Sequence, residues 1–260
     1  ITLKDVANKV GVHSSTVSRV LNPDTRKMVT EEIAAKILAA VDEMGYRPNA
    51  FAQSLKTNRS FTVGVMVPDL TNPAFAPIIK GIDNMPEAHG YSVIVANTYN
   101  LPEKQKSTAE KFRERHVDGL IIATAKRKDS LIDECRRDGT PFVQAVRASS
   151  DADVCSVVSD EHIGGNMVMS HLAQLGHKKI AYIAGPQFFS TGYERYQGFL
   201  QGMKNAGLKA DKDLVVFCDE FSEEEGRHAT SKLLAGRKKF TAVYAGNDIM
   251  ALGVYDELEA

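Results

Sequence analysis

The chain has 260 residues, 43% of them hydrophobic and 25% charged, with a net charge of −1. That length supports two or three domains, and that composition excludes collagen, a disordered chain and a disulfide scaffold. No apolar run approaches the ~18 residues of a membrane span and no signal peptide precedes the first helix, so the sequence points to the cytoplasm. Cys135, Cys155 and Cys218 lie far apart, odd in number and without metal-ligand spacing. They are expected as reduced thiols, and neither a cofactor nor a metal site is expected.

Charge is unevenly spread. Residues 1–60 hold nine Lys and Arg against six Asp and Glu, a net of +3, and the remainder nets −4. A basic head on an acidic body hints at a polyanion partner. The head reads as three helices. Thr2 and Asp5 have capping-box spacing, Val6, Ala7 and Val10 share a face, and Gly11 ends the first helix. The second runs from about Ser14 to Leu21 with Val17 and Val20 inward. The third starts at an N-cap Thr30, carries Glu31 and Glu32 at its positive end, and continues through Ile33, Ile37, Val41 and Met44 to Gly45. Ala7, Gly11 and Val17 have the order a helix-turn-helix needs: a small residue for close approach, a turn glycine and a corner-sealing valine. Any three-helix cap could share that spacing.

The sequences T-L-K-D-V-A-N-K-V-G-V at 2–12, T-V-S-R-V-L-N at 16–22 and G-Y-R-P-N-A-F-A-Q-S-L at 45–55 resemble the head and hinge of the LacI/GalR family of transcriptional regulators. The resemblance implies a second helix in the major groove, with Ser14, Ser15 and Arg19 toward base edges. Arg19 can fork onto one guanine, the most discriminating contact a side chain makes. Thr16, Ser18 and Asn22 are better placed for phosphate or packing. His13 stands where the family usually has a capping serine, so a phosphate contact is expected of it and its capping role is in question.

Pro48 opens the hinge, and Asn49 can cap a short helix through Ala50, Ala52 and Leu55. So short a helix is marginal alone. The resemblance implies that it folds when two copies meet on DNA, with Asn49 and Ala52 at the duplex and Leu55 wedged into the minor groove. Gln53 replaces a frequent arginine. A polar linker follows to Ser60.

The body alternates strand and helix. Strands are expected at 61–67, 91–96, 117–123, 141–146 and 154–158, with helices near 75–89, 102–115, 128–138 and 161–176. The rhythm resumes with strands at 179–184, 214–218 and 241–245 and helices at 192–206, 222–236 and 247–259. This is an α/β pattern with parallel sheets. The expected fold is an all-α helix-turn-helix head on a two-lobed core that resembles periplasmic sugar-binding proteins. The expected divisions are 1–46 for the head, 47–60 for the hinge and linker, and 61–160 and 161–260 for the lobes.

Ligands of parallel α/β sheets collect at strand carboxyl ends, so facing lobes make a cleft. The loops there carry Asn72 and Phe75, then Tyr99, then Thr124, then Arg147. In G-P-Q-F-F-S-T-G-Y-E-R-Y-Q-G-F, Arg195 falls on the family's ligand-binding arginine. Phe221 falls on an aromatic that stacks on ligand rings, and Asn247 opens N-D-I-M-A-L-G. These eight are the expected effector residues; a fork donor, an amide and an aromatic face suit a sugar-like molecule. The alternatives are that Phe75 and Phe221 are core aromatics, Arg195 a surface ion pair and Asn72 a helix cap. Many relatives carry Asp where this chain has Val146, so a hexose or pentose bound through that carboxylate is less expected; Arg147 beside Arg195 suits a carboxylate or phosphate instead, and the expected effector is a sugar or a sugar acid.

Family members continue past residue 260, and the second lobe offers three strand candidates, so a fragment is expected. The sequence thus reads as a DNA-binding regulator, a repressor of a carbohydrate or related operon. It would act as a homodimer on a near-palindromic operator under a small effector. The alternatives are a solute-binding protein and a regulator controlled by a protein partner. An enzyme is not expected, since G-x-S-x-G, P-loop, G-x-G-x-x-G and H-E-x-x-H motifs are all missing.

Overall fold

A computed structural model describes residues 1–47, 59–151 and 153–260. Two compact units form, Ile1–Ser60 and Phe61–Ala260. Asn49, Ala52 and Leu55, with Pro48 and Gln53, lie outside the described residues.

Among the described residues the first unit holds four helices where three are expected of the head: α1 (Leu3–Val10), α2 (Ser14–Leu21), α3 (Pro23–Arg26) and α4 (Glu31–Glu43). The extra turn forms because the Asn22 carbonyl accepts from Thr25 N and Arg26 N, while Pro23 stands at a first position where no N–H is needed. The capping box closes as the spacing predicts, and Gly11 takes a left-handed φ of 73°. Thr30 departs from expectation. Its side chain makes no cap bond to α4, and only its carbonyl joins the helix, through Ala34 N. Val6, Ala7, Val17, Val20, Ala34 and Ile37 bury their side chains together.

In the second unit, a five-stranded parallel sheet has the order β2-β1-β3-β4-β5. Its strands are β1 (Thr62–Val67), β2 (Ser92–Asn97), β3 (Gly119–Ile122), β4 (Phe142–Ala145) and β5 (Ser156–Val157). Helices α5 (Phe75–Ala88), α6 (Pro102–Glu114) and α7 (Ser130–Asp138) cover it. Alternate side chains of β1 go to opposite faces: Met66 packs with Phe112 and Ile132, Val65 and Val67 with Phe75.

The second lobe repeats this plan. Strands β6 (Ile180–Ala184), β7 (Val215–Phe217) and β8 (Ala242–Ala245) lie parallel in the order β7-β6-β8. Helices α8 (Glu161–Gln174) and α9 (Ser190–Asn205) cover one face through Met169 and Phe199. Helices α10 (Glu223–Ala235) and α11 (Asp248–Glu259) cover the other through Leu233 and Met250. Every expected strand and long helix of the body forms, with ends shifted by a few residues. Helix α9 begins earlier than expected, at Ser190, and the last strand of the first sheet shortens to two exposed residues.

The lobes meet along loops at their strand carboxyl ends. Arg127 N donates to the Phe188 carbonyl at 2.9 Å, and Ala148 N donates to Ser190 Oγ at 2.9 Å. The Arg127 guanidinium lies 3.6 Å from the Tyr193 ring centroid. No helix among the described residues is long and apolar enough to cross a membrane.

Candidate functional site

The head presents α2. Val17 and Val20 are buried at 0% and 3% exposure, which fixes the rotation of the helix about its axis. Ser15, Arg19 and Asn22 are consequently exposed, while Ser14, Thr16 and Ser18 are half-buried. His13 is the N-cap after all: Ser15 N donates to its Nδ1 at 3.2 Å, and Ser15 Oγ lies 2.8 Å from the same atom. An unprotonated imidazole nitrogen accepts like the expected serine oxygen, so the substitution preserves the cap. At the other end, Thr25 Oγ1 donates to the Arg19 carbonyl at 3.1 Å. Arg19 makes no ion pair among the described residues and is free to reach outward.

The body holds a cavity of about 890 Å³ at the strand ends. Asn72, Phe75, Arg147, Arg195, Phe221 and Asn247, six of the eight expected residues, line it. Asn72 Oδ1 also accepts from Ala74 N, just ahead of α5, and Phe75 is 5% exposed within the sheet core, so both have structural duties as well. Asn247 caps α11 by accepting from Met250 N at 2.9 Å, which leaves its amide NH2 as the group for a ligand.

Two expected residues stand elsewhere. Tyr99 and Asn100 both have positive φ, 55° and 57°. This turn leaves Tyr99 62% exposed and off the cavity wall, and its neighbour Asn100 lines the cavity instead. Thr124 is 2% exposed, off the wall, with its Oγ1 unpartnered among the described residues.

The two arginines differ. Arg195 is no surface residue. Its Nε and Nη2 donate to the Glu161 carboxylate at 2.6 and 2.8 Å, and Nη1 donates to the Gly246 carbonyl. Burial alone would lower its pKa, but the Glu161 carboxylate outweighs this and raises it. Glycine makes the pair possible. A Cβ on Gly165 of α8 would stand 2.8 Å from the Arg195 carbonyl of α9, so the helices touch backbone to backbone. Arg147 is 6% exposed; Nη1 donates to Asn100 Oδ1 at 2.8 Å, and its guanidinium lies 3.6 Å from the Phe189 centroid. Burial, then the like charge of Arg195, lowers its pKa to about 9, so it stays charged at neutral pH. Phe221 reaches the wall because Gly185 leaves room: a Cβ there would collide with its ring.

Glu161, Asn100 and Phe189 are the residues that sequence reasoning missed. Phe189 lay inside the quoted loop and Asn100 beside Tyr99. Glu161 gave no signal, since it reads as an ordinary first-turn acid.

Family models match nearly all of the chain. The model for bacterial regulatory proteins of the lacI family covers residues 2–49, and the model for periplasmic binding proteins and the sugar binding domain of the LacI family covers 60–260. The ribose operon repressor of Escherichia coli strain K12 is 34% identical over 99% of this chain and 77% of its own. The HTH-type transcriptional repressor PurR of Erwinia tasmaniensis is 35% identical over 97% and 74%. Among solved structures, the lac repressor dimer bound to operator and the anti-inducer ONPF superposes with a TM-score of 0.84 at 26% identity, covering 100% of this chain and 77% of that one. The head's helix-turn-helix, the two parallel lobes and these matches agree: the chain belongs to the LacI family of bacterial regulatory proteins, which are transcriptional regulators and not enzymes.

Proposed function

We propose that the protein is a cytoplasmic repressor that binds a near-palindromic operator as a homodimer and is controlled by a small metabolite in the cavity. In this reading residues 1–46 are the DNA head, 47–60 the hinge and linker, and 61–160 and 161–260 the two lobes. Arg19 reads a base, Ser14 and Ser15 accompany it, and His13, Thr16, Ser18 and Asn22 meet phosphate. Asn49, Ala52 and Leu55 form the hinge contact. The observation that carries the reading is α2: its apolar face is locked by Val17 and Val20, so Arg19 stands outward without an ion-pair partner among the described residues.

The cavity supports control by a ligand. Its walls come from both lobes, with Phe75 and Arg147 from the first and Arg195, Phe221 and Asn247 from the second. A molecule there binds two lobe arrangements unequally, and only that difference can shift operator affinity. Relatives include a ribose operon repressor and a CelR–cellobiose complex, the latter 29% identical with a TM-score of 0.71 over 100% of this chain and 78% of that one. They support a sugar-related effector.

The test is selection of bound sequences from a random DNA library, followed by binding to the winner with and without a pooled metabolite extract. A palindromic consensus whose affinity changes with the extract is expected. Retention of no consensus would overturn the regulator reading; a consensus indifferent to every metabolite would remove the effector.

A further inference from the structure

Among the described residues Arg147 is a buried cation without a counter-ion. Its partners are the neutral Asn100 amide, the Phe189 ring at 3.6 Å and the Phe221 ring at 5.9 Å. Among the described residues no carboxylate lies within ion-pair distance of it. Arg195, across the same cavity, already has Glu161. The cavity's remaining acids are committed or exposed: Asp69 accepts from Thr71 N and Oγ1, and Asp248 is exposed in the first turn of α11. Arginine is almost never buried unpaired, because taking an ion out of water is costly. Ring contacts return only part of that cost, which leaves the burial undercompensated.

A second observation falls on the same spot. Val146, just before Arg147, has φ 64°, and Arg147 N reaches back to the Ala145 carbonyl at 2.6 Å. This is a γ-turn of the strained hand, at a β-branched residue that suits it poorly. Such strain persists where the surroundings impose it, often at ligand sites. The fold therefore accepts both strain and an uncompensated charge to hold this guanidinium on the cavity wall.

We propose that the cavity's ligand carries an anionic group, a carboxylate or a phosphate monoester, that forks onto Arg147, with the rest of the molecule against Phe221. The inference rests on reading the cavity as an effector site. It places the charged end of the ligand in the first lobe, at the end of β4, so the lobes close on a molecule with one anionic end.

The test is calorimetric titration and thermal unfolding of the protein at constant ionic strength with three probe sets. These are neutral sugars (glucose, ribose), sugar carboxylates (gluconate, glucuronate) and sugar phosphates (glucose 6-phosphate, ribose 5-phosphate). An anionic probe is expected to bind and raise the unfolding midpoint. Arg147→Gln should weaken that binding by about tenfold to a hundredfold. Arg147→Lys, which keeps the charge without the fork, should lose less and serves if the Gln variant folds poorly. Without ligand, Arg147→Gln should unfold no lower than the parent, since it removes an unpaired buried charge. Which anionic set binds separates carboxylate from phosphate. A neutral sugar bound equally by parent and Arg147→Gln would overturn the anion while leaving the effector reading intact. An anionic probe indifferent to both substitutions would also overturn it. Binding of no probe at all, together with no response to pooled metabolites, would sink both readings.

Discussion

Arg195 and Glu161 form a two-bonded ion pair between α9 and α8, Nε to Oε2 at 2.6 Å and Nη2 to Oε1 at 2.8 Å. The pair fixes the arginine that lines the cavity, and it neutralises that side of the wall. Its side chains are 23% and 17% exposed. Removing one partner should therefore cost less than the ~3–5 kcal/mol of a fully buried pair. Glu161→Gln is expected to lower stability by about 2 kcal/mol in urea unfolding. It should also tighten binding of anionic probes, because Arg195 becomes a second free cation. Unchanged stability would mean the pair is solvated; unchanged anion affinity would mean Arg195 stays tied to the Gly246 carbonyl.

Phe221 rests against Gly185, where any side chain would overlap its ring. Gly185→Ala must push the ring into the cavity or away from it. Overpacking of this kind costs about 1–3 kcal/mol. The expected result is loss of that stability together with loss of effector binding, while operator binding in the absence of effector persists. Phe221→Leu should reproduce the binding loss with a smaller stability change. If Gly185→Ala left effector affinity intact, Phe221 would be a packing residue alone.

The body was legible because apolar runs and helical spacing alternate strictly: β1 and β6 are near-continuous apolar runs, as sheets covered on both faces require. The head was legible from Thr2, Gly11 and the Val17–Val20 stripe. What escaped depends on geometry that spacing does not carry. Tyr99 looked like a ligand group, yet two successive positive φ values turned it outward and put Asn100 on the wall. Glu161 carries no signal in the sequence, yet the glycine contact between α8 and α9 brings Arg195 onto it. His13 leaves the cap in question on residue type alone, yet a ring nitrogen can accept from Ser15 N as an oxygen would.

The three thiols should differ sharply in reactivity. Cys155 is exposed, whereas Cys135 and Cys218 are buried. Burial pushes both buried thiols up, and for Cys218 burial together with a hydrogen bond to the Glu225 side chain takes it to about 12. Only the thiolate reacts. A disulfide reagent at pH 8 should titrate one thiol per native chain and three after denaturation. Because the folded pKa of Cys218 exceeds its ordinary value near 9, its contribution to stability is complete below that pH. It is lost as pH rises from about 9 toward about 12. Cys218→Ala should flatten that part of the alkaline decline, after allowance for its constant packing loss. Rapid titration of three native thiols would contradict the burial.

Arg19 carries the sharpest prediction for the head. The valine face of α2 fixes its direction, and Thr25 holds the carbonyl behind it. A guanidinium forked onto guanine O6 and N7 is worth about 1–3 kcal/mol of discrimination. Arg19→Ala should therefore weaken binding to the selected operator by that amount and erase preference at one base pair per half-site. Affinity for unrelated DNA should change little, because phosphate contacts dominate there. Measuring parent and variant on operators substituted at each position, at two salt concentrations, separates the cases. A loss spread evenly over all sequences, with the salt slope falling by about one, would make Arg19 a phosphate contact. Base reading would then pass to Ser14 and Ser15, whose hydroxyls donate or accept alike and discriminate weakly, so such a head would depend on hinge and DNA shape for its specificity.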